Sequence, residues 1–562
     1  MDSFKSLKRR TTDLLHSASQ SLPSSIQNLS LGGHHLHSHG AAAHNTMKGT
    51  WEKISSLPPL PRSSHSVDIV AGNVYIFGGE GREPRKPVDN DMHVVTLPSS
   101  GAPADYYAIK AKAAAPSLST STSKPAAIAV GEGEPTPDTD TDTVVDKGKG
   151  KGRAGPELGD VVVPSPRVGH ATAVIGHRIF MFGGRGGPDM KALDEGGRVW
   201  VFDTRSHLWS YLDPAAAGAA AGGRPTVPEP RSYHSAVATD KPNRFGTAPG
   251  KHSSSSSAGR GVEGWRQWAS GDSEEVGIPQ RPIVGHVAET ATDLDSEGYG
   301  TLVIHGGCLA EGRAADVWAF DVHSRVWQKL PDAPGKPRGG TSLAISRSRL
   351  YRFGGFNGEG EEGGQLDYLE LAVDSFDDAS SKGEVTISAR GGWQSLMQGK
   401  ENVGYKEPDL AEAPLTHPDE EQQPWPGYRS VAGMEAVTVG GGREYLVLFL
   451  GERDPSEAGH AAAGKFWDDV WAFQVPAQSN TAASLTDTVL SAVGRKSGEG
   501  KWTKVEMGPR DDEDDASAEG PGRRGWIASA PMGELEENGI VVWGGLNGDN
   551  QRLGDGWILR LA

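Results

Sequence analysis

The chain has 562 residues, with 56 Lys and Arg against 73 Asp and Glu, which gives a formal net charge of −17. This acidic balance argues against general affinity for nucleic-acid backbones or anionic membrane surfaces. Cys308 is the only cysteine, which excludes an internal disulfide and favours a reducing compartment, so we expect a cytoplasmic protein. No stretch approaches the roughly 20 apolar residues that cross a bilayer. The 76 Gly and 37 Pro favour turns and β-structure over long helices.

The N-terminal region, residues 1–48, is expected to be a disordered tail. Its start, "MDSFKSLKRRTTDLLHSASQ", has basic residues but no apolar core, which argues against a secretory signal. A weak amphipathic segment or an organelle address is the alternative. The histidines of "GGHHLHSHGAAAH" lie in a Gly/Ala-rich linker, and we interpret them as incidental.

Six related units follow in chain order. The first unit begins "PRSSHSVDIVAGNVYIFGGEG" at Pro61, and the second begins "PRVGHATAVIGHRIFMFGGRG" at Pro166. The third begins "PRSYHSAVA" at Pro230 and continues at "TLVIHGGC", although "RPIVGHVAETATD" at Arg281 is an alternative first strand. The fourth begins "PRGGTSLAISRSRLYRFGGFNG" at Pro337. The fifth contains "YRSVAGMEAVTV" and "REYLVLFLGE", and the sixth contains "GRRGWIASAPM" and "NGIVVWGGLNG".

Each unit is typical of three strands with glycine turns followed by a fourth strand that carries tryptophan. These are kelch-type signatures, and such four-stranded units predict the blades of a β-propeller. The sixth unit lacks a fourth strand, whereas an unpartnered "GTWEKI" precedes the first. We therefore predict an all-β, six-bladed propeller over residues 49–562, closed by a strand at residues 51–54.

Hydrophilic tracts without apolar periodicity separate parts of these units. We interpret them as long disordered insertions on propeller loops, at about residues 112–160, 240–300, 398–423, 477–500 and 508–521.

The repeat register brings together the residue that follows the second strand's last glycine. These six residues are expected at one depth on one face: Glu80, Arg185, Cys308, Phe356, Glu452 and Leu546. An arginine flanked by two glutamates suits a polar or anionic ligand beside a cation. The alternative is a ring of solvated loop residues.

The stretch "FLGERDPSEAGH" extends from this register in the fifth unit. Glu452 and His460 offer the oxygen and nitrogen ligands that Fe(II), Mn(II) or Zn(II) accept, and Asp454 or Glu457 is a candidate second carboxylate. The alternative is a solvated acidic loop. A metal site at Glu452, Asp454 and His460 is the sharper hypothesis.

From residue 51 to the end, apart from the insertions, the chain resembles the plant nitrile-specifier and epithiospecifier proteins. The motifs that carry the resemblance are "FGGE", "FGGR", "KPRGG" at residues 336–340, the single-glycine "LGE" and "RRGW". That family has a Glu-x-x-x-Asp-x-x-x-His motif, taken to bind Fe(II). The resemblance matches Glu452 and His460 to its outer positions and Arg185 to an active-site arginine, while Ser456 replaces the middle acid.

The remaining candidates are weaker. His65, His170 and His234 recur at one repeat position, which predicts a structural role. Nothing basic adjoins Cys308 in sequence to activate its thiol. No phosphate-binding loop and no Gly-x-Ser-x-Gly turn is present.

Two functions fit the sequence. The first is a non-catalytic binding module with a charged rim pocket for a protein partner or a small anionic ligand. The second is an Fe(II)-dependent specifier-type protein that acts on a sulfur-containing anion. Closure of the ring leaves no obligatory edge to pair, so we expect a monomer or a weak oligomer.

Overall fold

The computed structural model describes residues 47–81, 86–99, 101–114, 162–215, 225–239, 300–375, 385–398, 425–440, 442–458, 462–476, 500–509 and 519–562. Residues 1–46 of the predicted tail lie outside these ranges, as do most of the five predicted insertions and His460. Within the described part of the chain, no helix is long and apolar enough to span a membrane.

Six sheets, antiparallel except for one outer pair in blade 6, form the blades of a β-propeller. Blade 1 contains Ser66–Val70, Asn73–Phe77, Met92–Thr96 and Asp105–Ile109, and blade 2 contains Ala171–Ile175, Arg178–Phe182, Val199–Asp203 and Leu208–Leu212. Blade 3 contains Ser235–Thr239, Thr301–His305, Val317–Asp321 and Val326–Leu330, and blade 4 contains Ser342–Ser346, Arg349–Phe353, Gln365–Ser375, Val385–Ala389 and Gln394–Met397. Blade 5 contains Gly433–Val439, Arg443–Phe449, Val470–Gln474 and Trp502–Lys504, and blade 6 contains Ala528–Pro531, Gly539–Trp543, Gly556–Leu561, Lys48–Lys53 and Glu506–Gly508.

The predicted closure of the ring is confirmed. Strand Lys48–Lys53 pairs antiparallel with Gly556–Leu561, the last strand of the chain. A contact that the sequence did not predict lies on its other side, where Glu506–Gly508 pairs with it in parallel. The N-terminal strand is therefore hydrogen-bonded along both edges.

Four details correct or refine the sequence analysis. The first strand of blade 3 is Ser235–Thr239, while the alternative at Arg281 lies outside the described residues. Blade 4 carries an additional hairpin, because Gln365–Ser375 extends outward to pair with Val385–Ala389. The outer strand of blade 1 has tyrosines where tryptophan was expected. Residues 112–114, assigned to the first insertion, instead run parallel to the outer strand of blade 2.

The apolar core is divided among the blade interfaces. Among the described residues, each pair of neighbouring blades shares one buried cluster, including the pair that closes the ring. Both faces of the blade strands are buried, which explains their nearly continuous apolar sequences such as Gly539–Trp543.

A buried arginine precedes the first strand of every blade. We call these the socket arginines: Arg62, Arg167, Arg231, Arg338, Arg429 and Arg524. Each donates a hydrogen bond to a backbone carbonyl at the end of its blade's second strand. Five are also paired with a carboxylate: Arg167 with Glu195, Arg231 with Asp316, Arg338 with Glu362, Arg429 with Asp469 and Arg524 with Asp555. Arg62 has no such partner among the described residues.

The recurring histidines pack between blades. A Cβ on Gly78 would lie 2.7 Å from Cε1 of His170, and one on Gly183 would lie 2.9 Å from Cε1 of His234. Both glycines have positive φ, so the turn and the neighbouring imidazole each require glycine. Burial lowers the pKa of His234 to about 3. This placement fits the structural role that the sequence predicts.

Candidate ligand-binding cavity

A cavity of about 320 Å³ lies at one end of the propeller axis. All six residues brought together by the repeat register line it: Glu80, Arg185, Cys308, Phe356, Glu452 and Leu546. Each forms a β-bridge with the residue just after its blade's socket arginine. This shared bridge holds the six at one depth, because every blade enters the ring through the same local structure.

The floor of the cavity is a closed ring of backbone hydrogen bonds between successive blades. Its six members have positive φ: Ser64, Gly169, Tyr233, Gly340, Val431 and Trp526. Each accepts at its carbonyl from the next member's amide, and Ser64 closes the ring by donating to Trp526 over 3.1 Å. The ring separates the cavity from a second one of about 200 Å³ further along the axis.

Two arginines give one side of the cavity a positive charge. Arg185 donates from Nε to Ser232 Oγ over 2.9 Å, and its guanidinium lies 5.0 Å from the centre of the Tyr233 ring. The guanidinium of Arg313 lies 4.9 Å from the centre of the Phe356 ring. Neither arginine has a carboxylate within ion-pair distance among the described residues. Both charges are therefore oriented by aromatic faces and remain available to a ligand.

A third arginine in the cavity is already neutralised. Arg552 donates to Glu80 Oε1 over 2.7 Å, and both side chains are buried. Glu80 is thus occupied in linking blade 6 to blade 1.

The opposite side of the cavity carries carboxyl groups. Burial raises the pKa of Glu452 to about 7, although hydrogen bonds from the side chain of Trp526 and the backbone of Gly464 oppose the shift. Glu361 lies behind Ser430, whose Oγ donates to it over 3.1 Å. Burial, followed by the neighbouring Glu452 charge, raises the pKa of Glu361 to about 9. Near neutral pH Glu361 therefore keeps its proton, whereas Glu452 titrates in this range and can supply the negative charge of the wall.

The described part of the blade-five loop does not supply the ligands for an iron site. Asp454 pairs with Lys465 at 3.3 Å and with Arg453 at 3.6 Å, and Ser456 Oγ accepts from the amide of Ala458. No group of three His, Cys, Asp or Glu side chains among the described residues is arranged to hold a metal. Of the three predicted ligands, Glu452 lines the cavity, Asp454 does not, and His460 lies outside the described ranges. The iron site at Glu452, Asp454 and His460 stays a prediction.

Sequence reasoning missed several residues in the cavity lining or directly behind it. Arg313, Glu361 and Arg552 each form a β-bridge with the register residue of their own blade. These partners are Cys308, Phe356 and Leu546, respectively. Loops of different length hide this register in the sequence. Tyr233 and Trp526 each lie two residues after the socket arginine of their blade, a signal that was present but was not used.

Comparisons with known proteins agree with this architecture. The Kelch motif model matches residues 166–214, which contain blade 2. N-(sulfonatooxy)prop-2-enimidothioate sulfolyase of Thlaspi arvense is 24% identical over 412 residues, which cover 69% of this chain and 91% of that protein. The tRNA wybutosine-synthesizing protein 2/3/4 of Oryza sativa subsp. japonica is 33% identical over 78 residues, 14% of this chain and 6% of its own length.

A search of solved structures gives the structure of YjhT, with a TM-score of 0.43 and 11% identity over 90% of this chain and 99% of that one. The repeats, the six closed blades and the Kelch motif match lead to one conclusion. The chain is a six-bladed β-propeller that carries a Kelch motif in blade 2 and resembles the Thlaspi arvense sulfolyase over 69% of its length.

Proposed function

We propose that this propeller is a binding module whose axial cavity holds a small organic molecule through an anionic group. The observation that carries the proposal is the pair of cavity arginines, Arg185 and Arg313, which lack carboxylate partners among the described residues while five of the six socket arginines have them. The fold alone specifies no activity, so the cavity is the feature that indicates function.

The chemistry of the cavity suits a ligand of modest size. Its volume of about 320 Å³ is at the lower end for small-molecule sites. Guanidinium groups bind carboxylate, sulfonate and phosphate oxygens through paired hydrogen bonds. The aromatic faces under both arginines limit their conformations, which reduces the entropy lost on binding.

The test is calorimetric titration of the protein with a panel of small carboxylates, sulfonates and phosphate esters. We expect saturable binding of at least one class, weakened by about tenfold or more in Arg185→Ala and in Arg313→Ala. Arg198→Ala is the matched control, because Arg198 pairs with Asp213 on the outer part of blade 2. Equal binding by all four proteins, or no binding across the panel, would contradict the proposal.

A second candidate function is a sulfolyase-type reaction in the same cavity. It is favoured by the match to a sulfolyase across 91% of that protein, whose name specifies a sulfonatooxy substrate, an anion. Turnover of such a substrate by the purified protein, lost in Arg185→Ala, would support it. Binding without turnover would leave the binding module as the function.

A further inference from the structure

The distribution of charge in the cavity has two poles. Arg185 and Arg313 line the cavity from blades 2 and 3, whereas Glu452 lines it from blade 5 and Glu361 of blade 4 lies behind Ser430. Among the described residues, no ion pair joins the two sides. Within this cavity, Glu80 and Arg552 do form an ion pair, so pairing across a blade boundary is possible there.

From this separation we infer that the cavity recognises a dipolar ligand, which carries an anionic group at one end and an ammonium group at the other. The inference rests on the proposed function and specifies the class of molecule. Anion binding alone would require the two arginines and leave the acidic wall without a role.

The carboxyl of Glu452, which forms the acidic pole, is held in place by the residues around it. Glu452 is 6% exposed and lines the cavity, and its carboxyl accepts hydrogen bonds from the Trp526 side chain and the Gly464 backbone. A Cβ on Gly464 would lie 2.3 Å from Glu452 Oε1, so the loop fits closely around this carboxyl. No lysine or arginine of the described chain pairs with Glu452.

Glu361 lies behind this pole, against Ser430. Its Oε1 accepts from Ser430 Oγ, and its Oε2 is buried without a hydrogen-bond partner in the described structure. Because its pKa is raised to about 9, Glu361 keeps its proton near neutral pH, and the negative charge of this pair of carboxyl groups resides on Glu452.

An aromatic surface lies between the poles. The Tyr233 and Trp526 rings meet edge to face with centroids 5.4 Å apart, and both line the cavity. Tyr233 also lies under Arg185, and Trp526 donates to Glu452, so each ring belongs to one pole. A short methylene chain can pack on this surface while its two charged ends reach the opposite walls.

The test compares probes that differ only in the ammonium group: homotaurine against propanesulfonate, and γ-aminobutyrate against butyrate. Calorimetric titration at neutral pH of the full chain is expected to give at least about tenfold tighter binding for each amino-containing probe, about 1.4 kcal/mol. Glu452→Gln is expected to remove that advantage while changing the affinity for propanesulfonate less than about twofold. Glu361→Gln is the matched control, because it replaces a protonated carboxyl behind Ser430, and it is expected to leave that advantage unchanged.

The outcomes separate the inference from the proposed function. If propanesulfonate binds as tightly as homotaurine in the native protein, the dipolar ligand is ruled out while anion binding stands. If the advantage persists in Glu452→Gln, the acidic pole is also ruled out. Tighter propanesulfonate binding on anaerobic addition of Fe(II), with no gain from the amino group, would assign Glu452 to a metal and overturn the inference. If no probe binds, the inference and the proposed function both fail.

Discussion

Arginines occupy two regions of this propeller and behave differently in each. In the sockets between blades, the guanidinium of Arg429 is fully buried and makes two hydrogen bonds to Asp469, at 2.7 and 3.1 Å. In the axial cavity, Arg185 is half-buried and contacts a serine hydroxyl and an aromatic face. The difference teaches that a paired arginine serves the fold here, whereas an unpaired one beside a cavity is a candidate for binding.

Buried carboxyl groups also fall into two classes: those paired with an arginine, and those without a cationic partner among the described residues. Although burial opposes it, the charge and hydrogen bonds of Arg429 hold the pKa of Asp469 below its usual range. In the channel beyond the ring of backbone hydrogen bonds, Glu435 has a serine partner, Ser529, and burial raises its pKa to about 8. Asp68 is buried nearby, and burial raises its pKa to about 7.

The largest expected effect comes from breaking a socket pair. Arg429→Met removes the cation and leaves Asp469 buried with Trp471 as its remaining side-chain donor. We expect the free energy of unfolding to fall by about 3–5 kcal/mol, measured by urea denaturation. Arg185→Met, which removes a cavity arginine, is expected to lower it by less than about 1 kcal/mol. Equal losses in the two variants would remove the distinction between the regions.

An intermediate effect is expected from pH, through the unpaired carboxyl groups. A carboxyl whose pKa is raised in the folded state favours folding when protonated, so its contribution is complete below the unfolded pKa and is lost as pH rises through the folded value. For Asp68 and Glu435 that loss falls between about pH 4 and pH 8. Paired Asp316, Asp469 and Asp555 act in the opposite sense, and their contribution is lost only as pH falls below the usual range of aspartate.

Glu435→Gln isolates this pH effect. It keeps an oxygen that can accept from Ser529 but cannot ionise. Between weakly acidic and alkaline pH, we expect its free energy of unfolding to fall less than that of the native protein, by at least about 1.4 kcal/mol, the equivalent of one pKa unit. Parallel pH profiles of the two proteins in urea denaturation would show that Glu435 is not the group responsible.

The smallest effect is expected at the exceptional socket arginine. Arg62 is buried, donates to the carbonyl of Gly78 and lacks a carboxylate partner among the described residues. In blade 1, Asp91 pairs with Lys110 and not with Arg62. In the third strand of blade 1, His93 occupies the position that tryptophan occupies in four other blades. Because no carboxylate is left unpaired, Arg62→Met should change the free energy of unfolding by about 1 kcal/mol or less. A loss as large as that of Arg429→Met would reveal a partner beyond the described residues.

The repeats predicted much of this structure. Six blades, closure by the N-terminal strand and the shared register of Glu80, Arg185 and Glu452 all follow from a period that the sequence displays. Strand pairings that are not part of the repeat could not be predicted from it. The parallel contact of Glu506–Gly508 with Lys48–Lys53 joins residues more than four hundred positions apart, and no local pattern signals it.

The candidate site was less accessible to sequence reasoning. Arg313 reaches the cavity and Glu361 reaches the wall behind it through bridges to Cys308 and Phe356, across loops of irregular length. The charge state of Glu452 depends on burial that only the closed ring creates. Iron at Glu452, Asp454 and His460, and a cytoplasmic location, stay predictions.

The most direct test of the central claim measures ligand affinity and unfolding free energy together in Arg185→Ala and Arg429→Ala. For Arg185→Ala we predict a loss of at least about tenfold in affinity for the tightest anion of the panel, with less than about 1 kcal/mol lost in stability. For Arg429→Ala we predict a loss of about 3–5 kcal/mol in stability, with unchanged affinity in the molecules that remain folded. An Arg185→Ala protein that binds normally but unfolds as readily as Arg429→Ala would contradict the account.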